Sequence, residues 1–141
     1  MTIRTTVFAI LSMFVLQQTQ GQYQLELKVT GVTSSEGNIA AALYTDSDSF
    51  LEFDKVFKSE AQKAYKGTTV MFFSGLPEGE YAVAIFHDSN GNGKLDTNWL
   101  GIPKEKVAFS KAKMKTFGPP NFGECAFTLD KDTEINIALN D

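Results

Sequence analysis

The run HDSNGNGKLDTN, residues 87–98, places oxygen-bearing side chains at alternate positions. With Asp88 at position 1, Asn90 falls at 3, Asn92 at 5, Gly93 at 6, Lys94 at 7 and Asp96 at 9, the spacing that opens an EF-hand calcium loop. Alternate residues of a tightly curled loop turn their oxygens to one centre. Glycine takes the sharp bend, and position 7 contributes only its backbone carbonyl, so lysine is tolerated there. The donors are hard oxygens with a formal charge of −2 from Asp88 and Asp96, which selects calcium over a transition metal. At position 12, where a bidentate glutamate belongs, stands Trp99; Glu105 is a later acid able to close the shell. The same composition also builds a turn without an ion, because Asn, Asp and Gly accept positive φ and bond their own backbone. Calcium is the expectation and an ion-free turn the alternative.

The other reactive side chains offer less. His87 is the only histidine and Cys125 the only cysteine, about forty residues apart, so they do not form a zinc site by spacing. His87 reads as a strand-end residue bonded to loop backbone. A hydrolase reading requires it to meet Asp88, Glu105 and Glu124 in space. Cys125 reads as a buried residue of a strand ECAFTL; a lone thiol forms no internal disulfide. No catalytic residue is assigned. Trp99, Phe117 and Phe122 lie in polar-aromatic segments, either capping the end of the fold or presenting a platform to a ligand.

Strands must position these loops. QYQLELKVT (22–30) alternates, with Tyr23, Leu25, Leu27 and Val29 on one face. GNIAAALYT (37–45) is a continuous apolar run, as for a strand covered on both sides. GVTSSEGN between them reads as a hairpin linker. TTVMFFSGL and EYAVAIFHD are two more strands joined through LPEGE, a tight turn carrying Pro77 and Gly79. ECAFTL and TEINIAL form a further pair around DKD. Residues 46–66 read as one short strand and irregular structure, with a short helix through Phe50, Phe53 and Phe57 as the alternative. About seven short strands with regular turn signals predict an all-β, antiparallel β-sandwich.

Residues 1–21 read as a cleaved signal peptide: Arg4, a ten-residue apolar core at 7–16, then Thr19 and Gly21 before Gln22. That core is too short to span a bilayer. The expectation is an exported, periplasmic or extracellular protein with one sandwich domain over 22–141. Without the leader, 12 basic residues stand against 17 acidic ones, a balance of −5 that excludes nucleic acid as a partner.

The second half of the chain carries a resemblance. FSGLPEGEYAVAIFHDSNGNGKLDTNWLGIPKEKVAFS followed by FGPPNFGECAFTL is similar to the DUF2141 family of exported bacterial proteins, in its Leu-Pro-x-Gly-x-Tyr turn, its strand ending in His-Asp, its Asn-Gly-Asn-Gly-x-Leu-Asp-Thr-Asn loop and its Gly-Pro-Pro-x-Phe segment. The turn-plus-strand GLPEGEYAVAIF also resembles transthyretin-like (prealbumin-like) and carboxypeptidase-regulatory-like sandwiches with an immunoglobulin-like layout, which are mostly accessory or binding modules. Such likeness speaks to fold rather than activity. Three readings follow: a monomeric, non-enzymatic calcium-loop module binding a protein or glycan partner, a metal-free accessory subunit of an envelope assembly, and a hydrolase built on His87.

Overall fold

The computed structural model describes residues 21–139, and the signal-peptide expectation lies outside them except at its last residue. The alternation read in the first strand is real. In β1 (Gln22–Val32) Leu25, Leu27 and Val29 are fully buried while Gln24 and Thr30 turn outward. β2 (Asn38–Tyr44), β3 (Lys58–Lys63), β4 (Gly67–Pro77), β5 (Gly79–Asp88), β6 (Val107–Phe109), a one-turn helix α1 (Phe122–Cys125), β7 (Phe127–Leu129) and β8 (Thr133–Ala138) complete the fold. Residues 46–66 hold a 3-10 turn at Phe53–Lys55 and the edge strand β3, in keeping with the reading of one short strand amid irregular structure.

Two sheets pack face to face. One runs β4-β1-β8 and the other β3-β2-β5-β6, with β7 also paired to β5. Leu25, Leu27, Met71 and Phe73 of the first sheet and Ile39, Leu43, Val83 and Ile85 of the second form the inter-sheet core. This is an all-β sandwich of eight strands.

Two connections differ from the sequence reading, and a third is a tight corner between sheets. β1 and β2 lie in opposite sheets, so GVTSSEGN crosses the sandwich rather than closing a hairpin. β4 and β5, separated only by Glu78, likewise fall in different sheets. The Tyr81 hydroxyl donates to the Pro77 carbonyl at 2.8 Å and ties this corner. β7 pairs β5 and β8 pairs β1, so the two strands flanking DKD are not partners. The β1–β8 ladder is parallel, the one such pairing among the described strands.

ECAFTL is also not one strand. Asn121 caps α1: its side chain accepts from the Glu124 N–H at 2.9 Å, and the Glu124 carboxylate accepts from the Asn121 N–H at 2.8 Å. This reciprocal box satisfies two otherwise unpaired donors and turns the chain before β7. Cys125 closes the helix with no exposed surface, packed with Ala82 and Phe109 in a second apolar cluster. Burial is the main cause that pushes its thiol up to about 11, with Glu124 adding to the effect. The thiolate is the reactive form. Cys125 in the native protein is therefore expected to react with a thiol reagent at pH 8 more than about tenfold slower than in denaturant. Equal rates, followed by absorbance, would show that the site is open.

Among the described residues no helix is long and apolar enough to cross a membrane.

Candidate functional site

The loop after β5 starts from a rigid base. Asp88 is the last residue of β5 and only 2 % exposed. Its neighbour His87 is buried, and its Nε2 lies 2.8 Å from the Glu36 carbonyl, so that nitrogen carries the proton and donates. The His87 N–H donates to the Lys106 carbonyl at 3.0 Å, which brings the far end of the loop back to its start. Gly37, at φ +66°, lies so close that a Cβ there would sit 1.9 Å from the Asp88 carbonyl oxygen. The β1–β2 crossing thus clamps the loop base.

From that base the loop curls inward. Asp88 accepts from the Asn92 N–H at 3.2 Å and from the Gly93 N–H at 2.8 Å, one on each carboxylate oxygen. Asn90 Oδ1 accepts from the Asn92 N–H at 3.2 Å, and Asn92 Oδ1 from the Lys94 N–H at 2.9 Å, two successive side-chain turns. The amides face Asp96. Asn90 Nδ2 donates to it at 2.7 Å and Asn92 Nδ2 at 3.0 Å to both oxygens. The Asp96 N–H donates to Glu105 Oε2 at 3.1 Å, and the Lys104 N–H to the Asp96 carbonyl at 2.8 Å. Asp88, Asn90, Asn92 and Asp96, read from spacing, therefore gather in one curl, and Glu105 reaches the same curl from across the loop. Lys94 is exposed and enters the network through its N–H.

The charge balance of this curl is specific. Asp96 is half-buried, and its carboxylate accepts from the Asn90 and Asn92 amide groups. Glu105 Oε1 is buried with no hydrogen-bond partner. A buried carboxylate oxygen without a donor is destabilising unless a proton or a cation meets it. Among the described residues no three His, Cys, Asp or Glu side chains converge as a ready-made ion cage. The loop holds carboxylates and amides, and an ion would require the two amides to turn their oxygens inward.

Trp99, which stands where a bidentate glutamate would, is 91 % exposed. Asn98 instead organises that turn, accepting from the Leu100 and Ile102 N–H groups at 2.9 and 3.0 Å. The three aromatics do not form one platform. Phe117 is fully exposed and lines a groove on the outer face of the second sheet, which neither Trp99 nor Phe122 lines. Phe122 is half-buried against Phe50, ring centroids 6.0 Å apart, within the second apolar cluster. Of the acids that a hydrolase reading would gather around His87, Glu124 is bonded within the α1 cap and to Lys115 at 2.7 Å. Sequence reading missed Gly37 and Glu36 as loop clamps. The signal for Gly37 was present, a glycine placed directly before a strand.

No curated protein and no solved structure matches the chain. A family model described as an uncharacterized protein conserved in bacteria, DUF2141, matches residues 27–136, and the chain belongs to that family.

Proposed function

We propose that this protein is an exported, non-enzymatic binding module of the immunoglobulin-like or transthyretin-like kind, in which the loop at 88–96 takes a calcium ion. The observation that carries the calcium reading is the pairing of a curled Asp88–Asn90–Asn92–Asp96 loop with a buried, donor-less oxygen on Glu105. Asp88, Asp96 and Glu105 would supply charge, Asn90 and Asn92 their amide oxygens, and Lys94 its carbonyl. Each asparagine would turn over about its terminal torsion, a broad rotation, giving up its amide–carboxylate bond and the backbone N–H that its oxygen holds in exchange for a metal–oxygen contact. With few charged ligands and exposed asparagines, the expected affinity is on the order of 10⁻⁴ to 10⁻³ M, that of extracellular calcium modules.

Calorimetric titration tests this. Calcium is expected to bind at one site in that range, magnesium more weakly because it demands a tighter octahedron, and Glu105→Gln to weaken calcium by about tenfold. Heat of dilution alone, up to 10 mM calcium, would leave the loop an ion-free turn.

A further inference from the structure

Exposed apolar side chains and positive charge concentrate in one stretch of this chain. Among the described residues, five of the ten large apolar side chains that stand exposed lie between 99 and 117: Trp99, Leu100, Ile102, Met114 and Phe117. Six of the chain's 13 basic residues lie between 94 and 115, all of them lysine, against two acids, Asp96 and Glu105. The stretch is therefore positive in a chain whose net charge is −4.

The fold sets these residues on one bank. Gly93 and Leu95, Ile102 and Pro103, and Met114 and Phe117 all border the groove over the second sheet. Trp99 and Leu100 form the tip of a turn in which the Gly101 N–H donates to the Asn98 carbonyl at 2.9 Å, held at its base by the Thr97–Pro103 bridge. Lys94, Lys104 and Lys113 are exposed, each next in sequence to a residue that borders the groove. Lys115 is met by Glu124 at 2.7 Å, and Lys111 donates to the Ala126 carbonyl at 3.0 Å. The two acids of the stretch, Asp96 and Glu105, are bonded within the loop curl. The opposite bank, 51–56, carries Glu52, Asp54 and Lys55 and is net acidic, so the positive field belongs to the 94–117 bank alone.

Apolar side chains clustered on an exposed surface mark an interaction site, with a protein or with a membrane. Protein interfaces deplete lysine and draw their positive anchors from arginine. The only arginine of this chain is Arg4, outside the described residues. A bilayer surface suits the pattern on this bank. Tryptophan settles at the headgroup level, and leucine, isoleucine and phenylalanine reach the acyl boundary. Lysine stems lie along apolar surface while their ammonium groups meet anionic phosphates.

We infer that the bank formed by Trp99, Leu100, Ile102 and Phe117, with Lys104 and Lys113 beside them, seats this protein on the surface of an anionic phospholipid bilayer, the Trp99–Leu100 turn entering the headgroup layer. The inference does not rest on calcium in the neighbouring loop, and its test is run in chelator so that the two fail separately.

Trp99 is the chain's only tryptophan, so its fluorescence reports on the contact itself. The full chain is titrated with vesicles of phosphatidylcholine alone and of phosphatidylcholine mixed with phosphatidylglycerol. On the mixed vesicles the emission is expected to shift to the blue, and to be quenched when their acyl chains are brominated. Binding to phosphatidylcholine alone is expected to be at least about tenfold weaker. One lysine at an anionic surface contributes about fivefold, so Lys104→Gln with Lys113→Gln is expected to weaken binding to the mixed vesicles by at least about tenfold. Lys28→Gln with Lys131→Gln, the same change of charge on the first sheet and in the β7–β8 turn, is expected to leave it within about twofold. Emission unmoved by the mixed vesicles, equal binding to both kinds, or binding untouched by the Lys104 and Lys113 substitutions overturns the assignment. Polyglutamate shifting the emission as far as the mixed vesicles do would give the bank to an acidic protein and overturn it as well.

Discussion

Gly37→Ala is expected to destabilise the protein by about 2–5 kcal/mol, a large part of the 5–15 kcal/mol that holds a typical domain together. Two effects add. At φ +66° an L side chain is strained by about 1–2 kcal/mol. The new Cβ would also lie 1.9 Å from the Asp88 carbonyl oxygen and under 3 Å from the Ser89 backbone. Those are main-chain atoms that cannot rotate away, so β2 or the loop base must shift, at about 1–3 kcal/mol for an overpacked site. Gly91 and Gly93 provide the control. Both have positive φ, +68° and +75°, but a Cβ at either meets nothing within 4 Å. Their alanine variants are expected to lose only about 1–2 kcal/mol each. Urea titrations of the three variants separate strain from collision. A loss at Gly37 no larger than at Gly91 would show that the β1–β2 crossing does not clamp the loop.

Gly37 also shows which parts of this molecule a sequence makes legible. Alternation in QYQLELKVT is a local consequence of strand geometry, and Leu25, Leu27 and Val29 are buried as it requires. The inward turn of Asn90 and Asn92 is equally local, since each bonds a backbone N–H two residues on. What a residue meets across the sandwich is not local. Turn signals between strands say where the chain bends, not which sheet it enters next, so GVTSSEGN reads as a hairpin and LPEGE as a plain tight turn although both cross between sheets. The parallel β1–β8 ladder joins residues over a hundred positions apart and leaves no periodic trace. In ECAFTL a short apolar run hides a helix end, because periodicity cannot separate such runs; the Asn121–Glu124 capping box was the legible clue. The alanine run of β2 was read as covered on both faces, and its outer cover proves to be loops that leave a groove. Trp99, Phe117 and Phe122 looked alike in sequence and end in three environments, since exposure depends on what folds over each ring.

The second large effect expected, on the proposed calcium reading, is stabilisation by the ion. An ion that binds the folded loop and not the unfolded chain shifts the equilibrium by RT ln(1 + [L]/Kd), about 1.4 kcal/mol at ten times the dissociation constant. For a domain of this size that raises the melting temperature by several degrees, about 4 °C or more. The gain depends on Asp88, one of the two carboxylates of the loop itself and the buried residue from which it curls. Asp88→Ala removes that charge together with the acceptors of the Asn92 and Gly93 N–H groups, so it lowers the melting temperature in chelator and removes the response to calcium. The measurement that bears most directly on the loop is a set of thermal melts of the wild type and Asp88→Ala, each in chelator and in 10 mM calcium. The calcium reading predicts a rise of several degrees for the wild type and none for the variant. Superimposable wild-type curves, or an equal rise in both proteins, would contradict it.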